Sequence, residues 1–592
     1  MKKALLSLFF LGITFCTSSQ EKKPTKKANI KIDTVKTEVV EVITKYNPKI
    51  ADASKIKTKP TVELLSSSQK KKLNYSIFSA PVASTFIPKS GVVKGVNVGN
   101  KENIYNNFIA AGYGNYNSPY IEAYLHSYTR FQSEFGVSTK YEASLDNIEN
   151  TALDSDFSNF DLNVFFKKEE RYFDWKITLN SERNQYNWYG IQEEVFNQNT
   201  IDNINSQQTY NYFNLKADID FLDAYVSKTQ LSVAYYNDAF NSNEYLIDLN
   251  TNFDFPLNSI SSNLNNLLVK TNLIYLGGDF ESGFQDINTI NYSIFTTKIN
   301  SEYNTTFGGF SLKLGTSFFA AFDTENNVNH FLLYPDIKLQ KSILKDKLNI
   351  YTGVFGDLKT NSYKSLSEEN PFISPTQFIT QTAEKYNIFL GTNGVLNNNF
   401  SFNFSASIKE EQDKPFFIKN YSKSNGTNTS NGVSTLKGFE YGNSFSVVYD
   451  DVKTTSFLAE LEYEFTKTIS FLTNFQFDNF SLTSQSEAWN LPTLQGSVIS
   501  KYKSKTWYAN AAVFYVGDRK EVSYSGTSFN SNGTLTIDSF VDINIDGGYH
   551  FSDKFSVFLK LNNILNNNYQ RFADLPVQGF QVLGGLTYKF DF

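Results

Sequence analysis

The stretch that decides the fold is the end of the chain, Val582 to Phe592, "VLGGLTYKFDF". Leu586, Tyr588, Phe590 and Phe592 are apolar at every second position, with Thr587, Lys589 and Asp591 between them. This is the alternation of a β-strand whose two faces meet different surroundings. The same grammar precedes it. In "VDINIDGGYHF" (541–551), Val541, Ile543, Ile545, Tyr549 and Phe551 take one face, and Asp542, Asn544, Asp546 and His550 take the other. The tight turn "SDK" leads to "FSVFLKLN" (555–562), with Phe555, Val557, Leu559 and Leu561 opposed to Lys560 and Asn562. A long Asn-rich connection then reaches the closing strand. A tight turn followed by a long loop is how the strands of outer-membrane barrels are joined.

Composition agrees with this reading. The 592 residues include 55 Phe and 36 Tyr, yet the mean hydropathy is −0.36. Apolar mass is therefore diluted at fine grain by Asn, Ser, Thr, Asp and Lys, as happens where lipid-facing and lumen-facing residues alternate. Soluble β-sandwiches alternate as well, so composition alone does not choose between them. Beyond the N-terminus no apolar run reaches about 18 residues, which leaves no transmembrane helix. "MKKALLSLFFLGITFCTSSQ" (1–20) has the basic start, apolar middle and small polar end of a secretory signal peptide. Phe15 stands where a lipid-modified cysteine needs a small residue before it, so cleavage is expected near Ser19 or Gln20. Removal of Cys16, the sole cysteine, leaves neither disulfides nor thiolate chemistry.

Residues 21–75 carry fourteen Lys and six acids, a net +8. With +2 on residues 1–20 and −6 on the whole chain, residues 76–592 hold −16. The sequence is read as four parts: 1–20 signal peptide, 21–75 a Lys-rich periplasmic extension, largely disordered, 76–102 a linker leading into or covering the barrel mouth, and 103–592 the barrel. Segments such as "FLAELEYEFTKTISFLTNFQF" (457–477) and "SVISKYKSKTWYANAAVFYV" (497–516) are strand pairs about a short turn. Long loops are expected near 183–205, 360–382, 412–438 and 520–534. Such segments number about 23, and both ends on one side require an even number. The ambiguity lies at 412–445, which phases two ways. The expectation is an all-β transmembrane antiparallel barrel of 22 strands, with 16–20 as the fallback. Such a sheet must close, because strands in lipid cannot leave backbone groups unpaired.

The C-terminal strands resemble those of TonB-dependent receptors, especially those of Bacteroidetes. The likeness rests on Asn562 and Asn563 at the corner, Tyr569 after it, and the terminal Phe592. "IADASKIKTKPTV", "PVASTF", "GYGNYNSPYIEAYL" and "EAWNLPTLQG" look like pieces of plugless, receptor-like barrels of the same phylum. The resemblance implies a Gram-negative outer-membrane address with the N-terminus in the periplasm. It further implies that Leu586, Tyr588, Phe590 and Phe592 form the seam strand and the signal read by the β-barrel assembly machinery. Those four are expected to face lipid, while Asp542, Asn544, Asp546, Lys560 and Lys589 face the lumen. The departure is the plug. True receptors place well over a hundred residues of globular domain before the barrel, and barely eighty are present here, half of them the Lys-rich arm. "KTEVVEV" (36–42) is the one TonB-box-like peptide.

Catalytic chemistry is not expected. His126, His330 and His550 are the only histidines, and they read as isolated positions in strands or at a loop. No His or Cys spacing suits a metal, "DTENN" (323–327) is a common kind of acidic loop, and no phosphate-binding glycine loop precedes a helix. No cofactor is expected, and an exported Lys arm is no nucleic-acid reader. Two functions are consistent with these features. One is a channel or transporter for small solutes, with the basic arm folded into an acidic lumen. The other is a non-transporting subunit of an envelope assembly or secretion complex, docked through residues 21–75.

Overall fold

The computed structural model describes Thr34–Val35 and residues 105–592, apart from 130–131, 223, 263, 286–287, 345–346, 398, 425, 427–428, 431–433 and 525–530. The sequence expectations for the signal peptide, the arm (Thr34–Val35 apart), the linker and the missing plug therefore lie outside the described residues. One sheet dominates. It holds 23 strands, one of which is the two-residue Thr34–Val35; the other 22 make the wall. The wall runs from Asn107–Gly114 to Gln581–Phe590, each strand antiparallel to the next, and these two strands pair with each other from Asn107↔Phe590 to Gly114↔Leu583. The sheet is thereby a closed antiparallel barrel of 22 strands, as expected. The last strand of the sequence is the seam.

Both ends of the seam are tied. The backbone N–H of Asn106 donates to Asp591 (2.7 Å), and the Asn115 side chain bridges the Phe580 carbonyl (2.8 Å) and the Val582 N–H (2.9 Å). Gly585 is required by close approach: a Cβ there would collide with the Phe558 ring and lie 2.5 Å from the Ala111 carbonyl oxygen. Alternation sorts the wall into an outer and an inner face. Leu586 and Tyr588 are 53% and 50% exposed, while Thr587 between them is 1% exposed. Leu273, Tyr275, Phe295, Ile299, Phe331 and Leu333 continue the exposed apolar outer face. Neighbouring inward positions carry Asn, Ser, Lys and carboxylates bonded across strands.

The two barrel ends differ. At the end where the chain enters and leaves, neighbouring strands are joined by two to four residues, except at 256–266. At the opposite end the connections include 188–206, 360–381, 420–444, 517–539 and 563–580. Aromatic rings crowd the first end: Trp507 and Tyr549 (4.7 Å), Tyr549 and Phe551 (4.8 Å), Phe590 and Phe592 (5.4 Å). Such girdles mark an interface between apolar and aqueous surroundings.

Two local expectations change. The strand expected to stop near 412 continues to Lys419, and its partner begins at Phe445, so the connection is 420–444. The longest strand, Phe445–Thr466, has 22 residues. Short helices also occur in the long loops, at Gln198–Ile201 and Tyr363–Glu369. The latter is set by Ser362 and Ser365, which cap each other's backbone N–H groups. No described helix is long and apolar enough to cross a membrane.

Candidate functional site

The site of interest is the mouth of the barrel at its long-loop end. The loops there do not stand in solvent; they turn inward and pack. One buried apolar cluster joins Tyr210, Tyr236, Phe280 and Tyr292 of the wall to Tyr363, Leu366, Ile373 and Ile379 of loop 360–381. The same cluster includes Phe417, Phe445, Val447 and Tyr449 from the strands half-way round the barrel. Side chains from opposite walls therefore meet through one loop, and the loops span the mouth as a cap. Tyr363 is its centre, with Phe280, Tyr236 and Tyr210 ring centroids at 4.8, 5.3 and 6.1 Å.

Buried carboxylates of the wall hold this loop. Glu244 accepts from the Tyr292 hydroxyl (2.9 Å) and from the backbone N–H groups of Tyr363 and Lys364 at the start of the short helix. Asp238 accepts from the Tyr363 hydroxyl (2.7 Å) and from the backbone of Phe240 and Ser242. Burial alone would lower the Lys364 ammonium, but Glu368 and Glu182, each 2.7 Å away, hold it above its ordinary value. Trp188 joins a second loop to the first by donating its ring N–H to the Phe372 carbonyl (3.0 Å), and Asn443 donates to the Trp188 carbonyl (2.7 Å).

The tops of Phe400–Lys419 and Phe445–Thr466 are buried on both faces. One face meets the cluster just described; the other packs Phe416, Val448 and Val452 against Trp489, Leu491 and Val522. Val522 belongs to a separate hairpin, Arg519–Tyr524 with Ser531–Ile537. Its Glu521 is fully buried and accepts from the N–H of Lys419 (3.0 Å), the N–H of Val522 (2.8 Å) and Asn490 Nδ2 (2.7 Å). Burial outweighs these donors and pushes its carboxyl up to about 7. Just below, Glu411 is fully buried among Lys414 (2.7 Å), Lys409 (3.3 Å) and Lys359 (3.3 Å).

Under the cap the inner wall is polar. Asn272 donates to Asn250 (2.6 Å), and Asn300 to Ser317 (2.8 Å) and Asp336 (3.1 Å). Lys298–Asp357 (2.7 Å) and Lys313–Asp336 (2.8 Å) continue the band. These residues line a cavity of about 530 Å³. Its charges are mutually paired, so this wall offers water and hydrogen bonds more than a net field.

Of the residues singled out from sequence, Asp542 is 8% exposed and accepts from Asn544 (2.9 Å), and Asp546 accepts from Asn510 (2.9 Å). Lys560 lies opposite Asp546 in the ladder, over the Tyr120 ring at 4.0 Å. Lys589 is half-buried beside Tyr588 on the seam strand. Asp542 and Asn544 tie loop 563–580 to the wall, through Tyr569 and through the Asn563 N–H (2.9 Å) respectively, whereas Asp546, Lys560 and Lys589 are not among the cap's buried residues. Sequence reasoning missed the cap residues, although Trp188, Trp489, Phe372 and Phe439 all fall in stretches between barrel strands. Large aromatics in such loops are the signal that those loops are buried. Among the described residues, no group of three or more His, Cys, Asp or Glu is placed to hold a metal.

No family model matches the chain, and no curated protein matches it in sequence. Its likeness is to solved structures. The FrpB iron transporter from Neisseria meningitidis (F3-3 variant) is 12% identical, with a TM-score of 0.59 over 82% of each chain. The ferripyoverdine receptor of the outer membrane of Pseudomonas aeruginosa is 12% identical, with a TM-score of 0.58 over 83% of this chain and 72% of that one. The siderophore receptor PirA from Acinetobacter baumannii is 11% identical, with a TM-score of 0.58 over 82% of this chain and 80% of that one. At these identities the likeness establishes the fold alone, a closed antiparallel barrel of 22 strands.

Proposed function

We propose that this protein is an outer-membrane channel or transporter for small hydrophilic solutes, shut at its outer mouth by its own loops. The observation that carries the reading is a buried aromatic cap, joined to distant parts of the wall, over a polar lumen. In this reading the short-turn end and both termini lie in the periplasm, and the long loops lie outside. Leu586, Tyr588, Phe590 and Phe592 face lipid and give the assembly machinery its C-terminal strand, while Asp542, Asn544, Asp546, Lys560 and Lys589 face the lumen. Residues 1–20 direct export. No plug, no catalytic site and no cofactor enters this reading, and a TonB-dependent step is not required by it.

The test is conductance in planar bilayers. The intact protein gives closed or rarely open bilayers. Replacing residues 363–378 by a short Gly-Ser linker removes the central helix and Tyr363, and should produce long-lived openings. A correctly folded deletion variant that stays closed would overturn the reading. It would favour the alternative, a non-transporting subunit docked through residues 21–75, which predicts a stoichiometric partner on purification from the native membrane.

A further inference from the structure

The polar cavity under the cap is flanked by a run of aromatic rings on the same inner wall. The strand Leu348–Lys359 climbs from the short-turn end towards the mouth, and it is bulged between Phe355 and Asp357 against its neighbour Thr382–Asn397. A bulge re-aims side chains, and three consecutive residues, Phe355, Gly356 and Asp357, all line the cavity. Towards the short-turn end the aromatic surface continues from Phe355 through Phe389 (ring centroids 6.2 Å apart) to Tyr351 (6.1 Å from Phe389). The last two rings lie across opposed glycines: a Cβ on Gly353 would collide with Phe389, and one on Gly391 with Tyr351. They are thereby held against the wall, and all three rings are half-exposed. Tyr351 donates its hydroxyl to Asn403 Oδ1 (2.6 Å), which fixes the last of them.

The lining of the cavity selects a ligand class. Its volume of about 530 Å³ lies within the range of small-molecule sites, about 300–1,000 Å³. Its three lysines are all paired: Lys270 with Glu302 (3.3 Å), Lys298 with Asp357 (2.7 Å) and Lys313 with Asp336 (2.8 Å). The charges balance, which favours neither an anionic nor a cationic ligand. Between them stand Asn250, Asn252, Asn272, Asn300, Thr271 and Ser317, amides and hydroxyls that both donate and accept. A sugar unit matches both surfaces. Its vicinal hydroxyls take such paired donors and acceptors, and the C–H groups of its ring face pack on an aromatic plane. A wall that only holds water needs the amides and not the rings. We propose that this cavity and the track Phe355, Phe389, Tyr351 form a binding site for a neutral oligosaccharide, with one sugar unit on the Phe355 ring and its hydroxyls on the asparagines.

The proposal rests on the reading of the lumen as a solute path, but its test reads binding and not conduction. The full-length protein in detergent is titrated by calorimetry, both intact and with the Gly-Ser linker at 363–378, so that a shut mouth cannot hide the site. The probes are maltotriose, cellotriose, xylotriose and tri-N-acetylchitotriose, with trialanine as a peptide. At least one sugar should bind saturably, and trialanine should not. Phe355→Leu with Phe389→Leu should weaken that sugar about tenfold, and Asn272→Ala about fivefold. Asp546→Asn, on a distant part of the wall, should leave it unchanged. Each variant is first matched by its compact band on unheated gels, so that loss of the barrel is not read as loss of the site. Sugar binding that the Phe355, Phe389 and Asn272 variants leave within about twofold, a preference for trialanine, or no sugar binding in either form overturns the site. A protein that conducts but binds no sugar keeps the transport reading and loses the site; one that binds sugar but never conducts does the reverse.

Discussion

Glu521 gives the cap a pH dependence whose size follows from its surroundings. Its carboxyl is held near 7 in the folded hairpin, against 4.5 when free. When the cap opens, the group regains water and its ordinary acidity. Between about pH 4.5 and 7 the closed state therefore binds a proton that the open state has lost. Closing is favoured on the acid side of this window and weakens as pH rises through it, reaching its full cost above 7. From pH 5.5 to pH 8 the change is about 2 kcal/mol, or about 30-fold in the opening constant. Glu521→Gln keeps an acceptor for the Lys419 and Val522 N–H groups, offers its NH₂ toward Asn490, whose Oδ1 has no hydrogen-bond partner, and removes the titration. The three histidines all lie in barrel strands, outside the hairpin. Hydrogen exchange of residues 517–539, corrected for intrinsic rates, should show the 30-fold rise in the native protein and less than threefold in the variant. Equal slopes in the two proteins would refute the reasoning.

Three other substitutions probe separate parts of the structure. Glu244→Ala strips the Tyr292 hydroxyl and two helix N–H groups of their acceptor, and should loosen loop 360–381 by about 3 kcal/mol; limited proteolysis at residues 363–369 reads this, with Glu244→Gln intermediate. Glu411→Ala leaves Lys409 and Lys414 buried without their shared carboxylate and should cost about 3–5 kcal/mol, seen as a lower temperature for loss of the compact band on gels. Leu586→Arg puts a charge on the outer apolar face and should cost about 2–4 kcal/mol near the bilayer midplane. Lys589→Ala should change little, and urea unfolding from vesicles compares the two.

The wall was legible because period two survives in nearly every strand, and because turns such as Thr466 to Ile469 leave no room for another structure. Closure followed from the need to pair every backbone group in lipid. The cap was not legible, because loop residues have no period and their burial depends on partners far along the chain. Residues 408–419, "IKEEQDKPFFIK", show the difficulty in one place. Their charges read as solvent-exposed loop, yet the strand continues, since Glu411 is neutralised by Lys409 and Lys414 and the following Phe416 and Phe417 are buried. The polar inner wall was anticipated as a class; which residues pair across it depends on register that alternation alone does not give.

The contacts that knit the mouth join distant parts of the chain: Tyr189 to Pro576 (2.8 Å), Ser144 to Gln578 (2.5 Å) and Trp188 to Phe372. The first two bring loop 563–580, next to the last strand, against loops near the first strands, so they form only after the first and last strands have met, and that part of the mouth is completed late in folding. A seam joined two residues out of place would carry Pro576 about 7 Å from Tyr189 and leave an aromatic interior wet. The barrel thus inspects its own closure, and a wrongly zipped wall announces itself at the long-loop end as a loose, protease-sensitive lid.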